Sequence, residues 1–214
     1  MIKTLIFDYD GTLHDTARLY GKAFRKAYAY LVSEGKAPQR EYTDEETSIY
    51  LGMSAPDMWE AFMPSLEQAY KQTASAMIGA EMDRLVEAGE AVLYEDCLDI
   101  MQALKEKGYQ LVILSNCRHA YLEAHKKVFH LEKYFDGFYA AEDFGFAPKE
   151  EIFDVIQKQY PAEFAVIGDR ASDLAVAVKH HLRSIACDYG FGEEAELRMA
   201  EMHIKDIREL LSIL

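Results

Sequence analysis

The chain has 214 residues, half of them hydrophobic, and a formal net charge of −14 at pH 7. This length allows one large domain or two small ones, and the hydrophobic fraction is sufficient for a sizeable core. The acidic balance argues against nucleic acid and anionic membrane surfaces as partners, because negative charge attracts neither. An anionic small molecule is compatible with the composition, because a bound metal can reverse the field at a local site.

The cysteines and the apolar runs indicate the compartment. The three cysteines are widely spaced and form no Cys-x-x-Cys pair, which argues against a zinc site or a redox pair. The first residues open directly into an apolar run without a signal-peptide pattern, and no run reaches the length of a membrane span. We therefore expect reduced thiols in a cytoplasmic protein with no membrane partner, as a monomer or weak homodimer.

The first predicted element is a buried strand, Leu5–Phe7, that runs directly into two acidic residues. Asp8 and Asp10 follow it, and the chain turns at Gly11. In an open α/β sheet, ligands bind at the carboxyl ends of the strands. Two carboxylates there require compensation, and a divalent cation is the usual compensator. The pair suits phosphoryl transfer, in which one carboxylate attacks phosphorus and the other moves a proton. An ordinary Asp-rich turn also fits these residues.

A wholly helical stretch follows the first strand. Asp15 or Thr16 can cap its first helix, a capping box beginning at Thr43 opens a short helix, and Ser54 opens another. Apolar spacing predicts a long helix over roughly residues 65–88. Because no segment here has the pattern of a strand, we predict an all-helical insertion.

Strands and helices alternate in the rest of the chain. The predicted strands are residues 110–114, 137–141, 164–168 and 184–187, and the predicted helices are residues 98–107, 120–129, 149–159, 173–180 and 204–214. This alternation predicts a parallel sheet with crossover helices. Since the first strand belongs with this set, residues 1–15 and 90–214 form one core domain, which residues 16–89 interrupt.

Later strand and helix ends bring further polar residues to the same edge of the sheet. Ser115 and Asn116 follow one strand, and Asp169 follows another. The spacing of Asp169 and Asp173 fits a metal site in which one acid binds directly and the other binds or orients a ligand. Lys149 opens a helix, where a cation is unfavourable unless it faces anions. Each feature also has a simpler explanation as a turn, a helix cap or a solvated side chain.

Taken together, these residues resemble the four motifs of the haloacid dehalogenase-like hydrolases, in the same order and at about the same spacing. The motifs are Asp8-Tyr-Asp10-Gly-Thr12, Ser115-Asn116, Lys149 and Gly168-Asp169 with Asp173. The insertion after the first motif resembles the cap of the phosphoglycolate phosphatase and β-phosphoglucomutase branch. The resemblance covers nearly the whole chain. It implies an α/β fold with a Rossmann-like three-layer α/β/α parallel-sheet core and an inserted helical cap domain.

The resemblance also implies a role for each matching acid and for the lysine. Asp8 is the nucleophile that forms an aspartyl-phosphate, and Asp10 is the general acid/base, whose backbone carbonyl also meets the metal. Lys149 steadies the charge on Asp8 and on the phosphoryl group, although the usual Lys-Pro order of this motif is reversed in the chain. Mg²⁺ is the implied cofactor, with Asp8, Asp10, Asp169 and Asp173 as its ligands; Asp173 binds it directly or orients another ligand.

The expected substrate is a small phosphorylated metabolite. A carboxyl group at position 10 favours phosphate esters, because a leaving oxygen needs a proton and a leaving halide does not. The resemblance therefore implies a Mg²⁺-dependent phosphatase. A sugar-phosphate mutase and a catalytically degenerate phosphate-binding protein on the same fold are the alternatives. The residues expected to bind the substrate phosphate are Gly11, Thr12, Ser115, Asn116 and Lys149.

Overall fold

The computed structural model describes residues 2–214, and its central feature is a six-stranded parallel sheet. The strands are β1 (Thr4–Phe7), β2 (Gln110–Ser115), β3 (Gly137–Ala140), β4 (Phe164–Gly168), β5 (Arg183–Cys187) and β6 (Met202–Ile204). Their order across the sheet is β3-β2-β1-β4-β5-β6, and every neighbouring pair is parallel. With helices on both sides of this sheet, the predicted α/β class is confirmed.

The helices occupy the segments between these strands and after the last of them. They are α1 (Ala17–Ser33), α2 (Asp44–Ser48), α3 (Ala55–Phe62), α4 (Gln68–Glu87), α5 (Cys97–Glu106), α6 (His119–Phe129), α7 (Lys149–Ile156), α8 (Ala171–His180), α9 (Glu194–Leu197) and α10 (Leu210–Ile213). Within residues 2–214, none of these helices combines the length and the apolarity that a membrane crossing requires.

β1 lies in the middle of the sheet because its side chains are apolar on both faces. Ile6 lies level with Val112 on β2 and Val166 on β4, and these residues pack with α7 and α8 in one buried cluster. Alternate residues of a strand point to opposite faces, so Phe7 faces the other layer, where its ring contacts Phe135. The strand order reverses between β1 and β4, which is where open α/β sheets bind ligands.

The chain divides into two compact units. One consists of Met1–Asp15 with Val92–Leu214, and the other is Thr16–Ala91. The second unit contains α1 to α4 and, in the part of the chain that the structure describes, no strand. The observed division after Ala91 lies two residues beyond the predicted one after residue 89. The assignment of this helical unit as a cap stays a prediction.

Two of the three helix starts expected from capping residues form as predicted, whereas Thr16 precedes α1 without a side-chain capping hydrogen bond. Thr43 accepts a hydrogen bond from the Glu46 amide, and the Glu46 carboxylate accepts one from the Thr43 amide, so the predicted capping box opens α2. Ser54 accepts from the Asp57 amide and caps α3. These bonds satisfy amide groups that a helix start otherwise leaves without partners.

The prediction of one closing helix over residues 204–214 is wrong at its beginning. Met202–Ile204 instead forms the edge strand β6, paired with β5, and α10 begins only at Leu210. The spacing of Ile204, Ile207 and Leu210 imitates a helical face. Asp206, however, is extended and accepts a hydrogen bond from the Arg208 amide, so a new helical turn starts after it.

Candidate active site

The turn after β1 lies beside the end of β4, because the two strands are paired neighbours in the sheet. The Asp8 amide donates to the Ile167 carbonyl at 2.9 Å, which extends the pairing with β4 by one residue. Gly11 has a φ of +87°, and a Cβ atom there would lie 2.2 Å from Oδ2 of Asp169. Glycine is therefore required at position 11 both by its backbone conformation and by the close approach of Asp169.

Lys149 is a buried cation between two buried acids. Its Nζ donates to Oδ1 of Asp8 and to Oδ1 of Asp173, each at 2.6 Å, and its side chain is 2% exposed. Burial alone lowers the pKa of the ammonium, but the carboxylates of Asp173 and Asp8 outweigh burial and hold the pKa above its usual value. The alternative of a solvated lysine is thereby excluded, and the lysine faces anions as predicted.

Asp169 follows β4 and is completely buried. Its Oδ1 accepts from the Thr12 hydroxyl at 2.9 Å, and its Oδ2 accepts from the Phe191 amide at 2.8 Å. Burial, with the nearby charge of Asp173 as the next cause, raises the pKa of Asp169 to about 7. Asp173 itself accepts from the Arg170 amide at 2.9 Å, so its second oxygen supports the first turn of α8.

The three buried acids fit a divalent metal ion. Each of Asp8, Asp169 and Asp173 offers a carboxylate oxygen, and these oxygens lie within 4.8 Å of one another. Burial, followed by the charge of Asp173, also raises the pKa of Asp8. With Lys149 as the facing cation, three ionised acids leave an excess of negative charge that a second cation would compensate. Such a set of hard oxygen donors suits Mg²⁺.

The Asp10 side chain contacts residues other than those of the cluster formed by Asp8, Asp169 and Asp173. Its Oδ1 accepts from the Tyr121 hydroxyl at 2.9 Å and lies 3.0 Å from Nδ1 of His14. About a quarter of the Asp10 side chain is exposed, whereas His14 is fully buried. The predicted metal contact of Asp10 concerns its backbone carbonyl and stays a prediction. Neither Tyr121 nor His14 was predicted from the sequence, because Tyr121 is distant in the chain and its helical spacing resembles that of a core residue.

The residues predicted to bind phosphate have varied surroundings. The Gly11 amide donates to the His14 carbonyl, and the Thr12 hydroxyl donates to Asp169, so both groups are engaged within the protein. Ser115 is buried at the end of β2, with its hydroxyl accepting from the Cys117 amide at 3.3 Å, and Asn116 is exposed. Their contact with a phosphate group stays a prediction.

The family model of the haloacid dehalogenase-like hydrolases matches residues 2–181. The chain belongs to this family. The match covers most of the chain, so the predicted membership and the predicted enzyme class of hydrolase are confirmed.

Individual relatives of the chain are distant from it in sequence, and several solved structures are close to it in fold. The pyrophosphatase PpaX of Anoxybacillus flavithermus is 28% identical over 84% of this chain and 80% of its own length. A haloacid dehalogenase-like hydrolase from Streptococcus pneumoniae superposes with a TM-score of 0.78, at 22% identity over 99% and 98% of the two chains. CbbY of Rhodobacter sphaeroides, solved with phosphate and as a variant with xylulose-(1,5)bisphosphate, superposes with a TM-score of 0.77 at 19% identity over 98% and 96%.

Proposed function

We propose that this hydrolase is a Mg²⁺-dependent phosphatase that cleaves a small phosphorylated metabolite through a phosphorylated aspartate, Asp8. The observation that carries the proposal is the buried cluster at the ends of β1 and β4. Asp8, Asp169 and Asp173 lie together there, Lys149 donates to Asp8 and Asp173, and Asp10 lies two residues after Asp8. The names of the curated relatives, which are pyrophosphatases, and the phosphate bound to CbbY support phosphorus chemistry.

In the first step, an Asp8 carboxylate oxygen attacks phosphorus and the bond from phosphorus to the leaving oxygen breaks. Lys149 fixes the rotation of the Asp8 carboxylate by binding Oδ1. Asp10 gives its proton to the leaving oxygen, so that the product departs as a neutral alcohol. When bound by Asp8, Asp169 and Asp173, Mg²⁺ supplies positive charge that stabilises the transferring phosphoryl group.

In the second step, water attacks the phosphorus of the phosphorylated aspartate. Asp10, now ionised, accepts a proton from that water, and the bond from phosphorus to Asp8 breaks. Inorganic phosphate is released, Asp8 is again a carboxylate, and Asp10 again carries a proton. The same carboxyl group thus serves as acid and then as base. It must therefore lie close to the leaving oxygen in the first step and to the oxygen of the attacking water in the second.

The substitution Asp8→Asn tests the nucleophile. It replaces the attacking carboxylate with an amide of nearly the same shape, so we expect phosphate release to fall by at least about 1,000-fold, since the covalent step is lost. The matched control is Asp99→Asn, on the exposed side of α5, which should keep wild-type activity. Undiminished turnover by the Asp8 variant, with intact protein verified by mass, would overturn the mechanism.

A substrate screen tests the rest of the proposal. Sugar phosphates, nucleotides, phosphoglycolate and pyrophosphate are each incubated with Mg²⁺ or with a chelator, and phosphate release is measured. We expect release to require Mg²⁺. Formation of an isomerised sugar phosphate without release would indicate a mutase. Binding of phosphate esters without cleavage of any compound would indicate a degenerate phosphate-binding protein.

A further inference from the structure

We propose that Tyr121 and His14 are positioning residues that hold the Asp10 carboxyl group in the orientation needed for proton transfer. The inference rests on the proposed function of Asp10 as general acid and base. It assigns a role to two side chains that lie outside the four motifs, one of them contributed by α6 from a distant part of the chain.

The two side chains converge on one oxygen of Asp10. Tyr121 donates its hydroxyl proton to Oδ1 at 2.9 Å, and Nδ1 of His14 lies 3.0 Å from the same atom. Because a carboxylate oxygen only accepts hydrogen bonds, the ionised Asp10 requires the His14 proton on Nδ1. The Tyr121 hydroxyl oxygen and Nδ1 of His14 lie 3.4 Å from each other, and two donors on one oxygen restrict rotation of the carboxyl group more than a single donor would.

A second layer of rings holds both donors in place. His125 lies edge-on to His14, with ring centres 4.5 Å apart, and its ring centre is 4.3 Å from that of Tyr121. Tyr9 stacks on His14, and its hydroxyl forms a 2.7 Å hydrogen bond with Nδ1 of His125. All four rings are buried. Neither donor can therefore leave Asp10 without displacing the others.

The second layer brings no positive charge close to Asp10. Burial, with His14 as the next cause, lowers the pKa of His125 to about 3, so its ring is neutral at physiological pH. A wholly apolar core would fill the same space without the cost of burying four polar groups. Here the polar groups end on a carboxyl group that is a quarter exposed, which is the arrangement expected when a reactive side chain must be held at a precise angle.

A positioning role predicts a dependence on the leaving group. A leaving oxygen that is a strong base needs the Asp10 proton as its bond to phosphorus breaks, whereas a weakly basic one departs without it. A defect in the orientation of Asp10 should slow the first kind of ester far more than the second. A general loss of folded protein would slow both equally. The ratio of kcat/KM for two such esters therefore separates positioning from simple structural support.

The first test compares Tyr121→Phe with Tyr109→Phe. Tyr121→Phe removes only the hydroxyl that binds Asp10, whereas Tyr109→Phe removes one that donates to the Leu214 carbonyl, away from Asp10. The substrates, with saturating Mg²⁺, are phenyl phosphate and 4-nitrophenyl phosphate, whose leaving group is the weaker base. For Tyr121→Phe we expect kcat/KM to fall about 10-fold to 100-fold with phenyl phosphate and less than about 3-fold with 4-nitrophenyl phosphate. Tyr109→Phe should leave both values unchanged.

A second pair of variants covers the case in which Tyr121→Phe does not fold. His14→Asn retains an amide donor near the position of Nδ1, and His14→Leu removes it. We expect His14→Asn to keep the ratio of kcat/KM for the two esters close to the wild-type value. His14→Leu should lower kcat/KM with phenyl phosphate much more than with 4-nitrophenyl phosphate. Equal losses for both esters, or no loss for either, would overturn the positioning role while leaving the proposed function intact. Wild-type protein that cleaves neither ester, nor any compound in the substrate screen, would overturn the proposed function and the positioning role together.

Discussion

At the scale of single residues, Lys149 holds the two sides of the site together. Its ammonium contacts carboxylates that come after β1 and within α8, and all three groups are removed from water. Removing one partner from such a buried ion pair costs more than the pair itself contributes, because the charge that is left has neither water nor a counterion. The lysine is therefore expected to affect stability as well as catalysis.

The substitution Lys149→Met should lower the free energy of unfolding by about 3 kcal/mol in the presence of a chelator, since it leaves Asp8 and Asp173 without their shared cation. Urea unfolding followed by far-ultraviolet circular dichroism measures the change. Lys179→Met, which removes an exposed cation from α8, is the matched control and should change stability little. A variant at position 149 as stable as this control would show that the ion pairs are not structural.

Sequence motifs predicted which charged residues meet, but not their supporting partners. Asp8, Asp169 and Lys149 could be predicted to converge, because each follows a strand or opens a helix at one edge of a parallel sheet. Tyr121 and His14 could not, since the contact depends on how α6 packs and no local pattern marks it. A tyrosine on an inward helix face has the same spacing whether it fills space or donates to a carboxylate.

At the scale of elements, α1 and α4 are joined by a small group of charged side chains. Glu81 on α4 is buried, and its carboxylate binds Arg84 one turn further on, at 2.8 Å, and Lys26 on α1. Hydrogen bonds from Arg84 and then Lys26 lower the pKa of Glu81 from 4.5 to about 2. Since the folded pKa is depressed, the stabilisation is present above about pH 4.5 and is lost as the pH falls towards 2.

The substitution Glu81→Gln should therefore lower stability at neutral pH by on the order of 1 kcal/mol, a modest value because both cations are more than half exposed. The difference from wild type should shrink as the pH is lowered from 5 to 3, the range in which Glu81 takes up a proton in the unfolded chain while it stays ionised in the folded protein. Thermal melts at a series of pH values measure it. Glu87→Gln, at an exposed position of α4, serves as control. A difference that grows in acid would contradict the assignment.

Capping residues next to α2 and α3 could be recognised in the sequence, whereas strand β6, which depends on pairing with a distant segment, could not. The capping residues Thr43 and Ser54 are readable because the bond that opens the helix lies within three residues. Strand β6 could not be predicted from the sequence, because three residues are too few for an alternating pattern and its pairing partner on β5 lies well before it in the chain. An edge strand with an exposed His203 at its centre looks like a loop.

At the scale of the whole molecule, tryptophan fluorescence can follow the unfolding of the helical unit separately from that of the rest of the chain. Trp59 is the sole tryptophan, is 3% exposed, and donates through Nε1 to the Ser75 hydroxyl at 2.6 Å within the helical unit. Its fluorescence therefore reports on that unit, whereas circular dichroism reports on the entire chain. The helical unit is the shorter of the two, and a shorter chain is expected to bury a smaller fraction of its surface on folding, which limits its intrinsic stability.

We expect the fluorescence of Trp59 to change at a lower urea concentration than the circular dichroism signal of the full chain, since the helical unit has the smaller core. Both signals are recorded on the same samples. The substitution Ser75→Ala removes the indole partner and should shift the fluorescence midpoint further than the dichroism midpoint. Coincident transitions in the wild type would mean that the two units unfold as one cooperative body.

The central position of β1 has a consequence for biosynthesis. Of the six strands, β1 is synthesised before the others and becomes an inner strand of the sheet, yet its neighbours are β2, which begins at Gln110, and β4, which begins at Phe164. Its apolar side chains must wait, unpaired, while the helical unit and half of the core are synthesised. Chaperone binding during translation should therefore be concentrated on β1 until β2 and β4 have been synthesised.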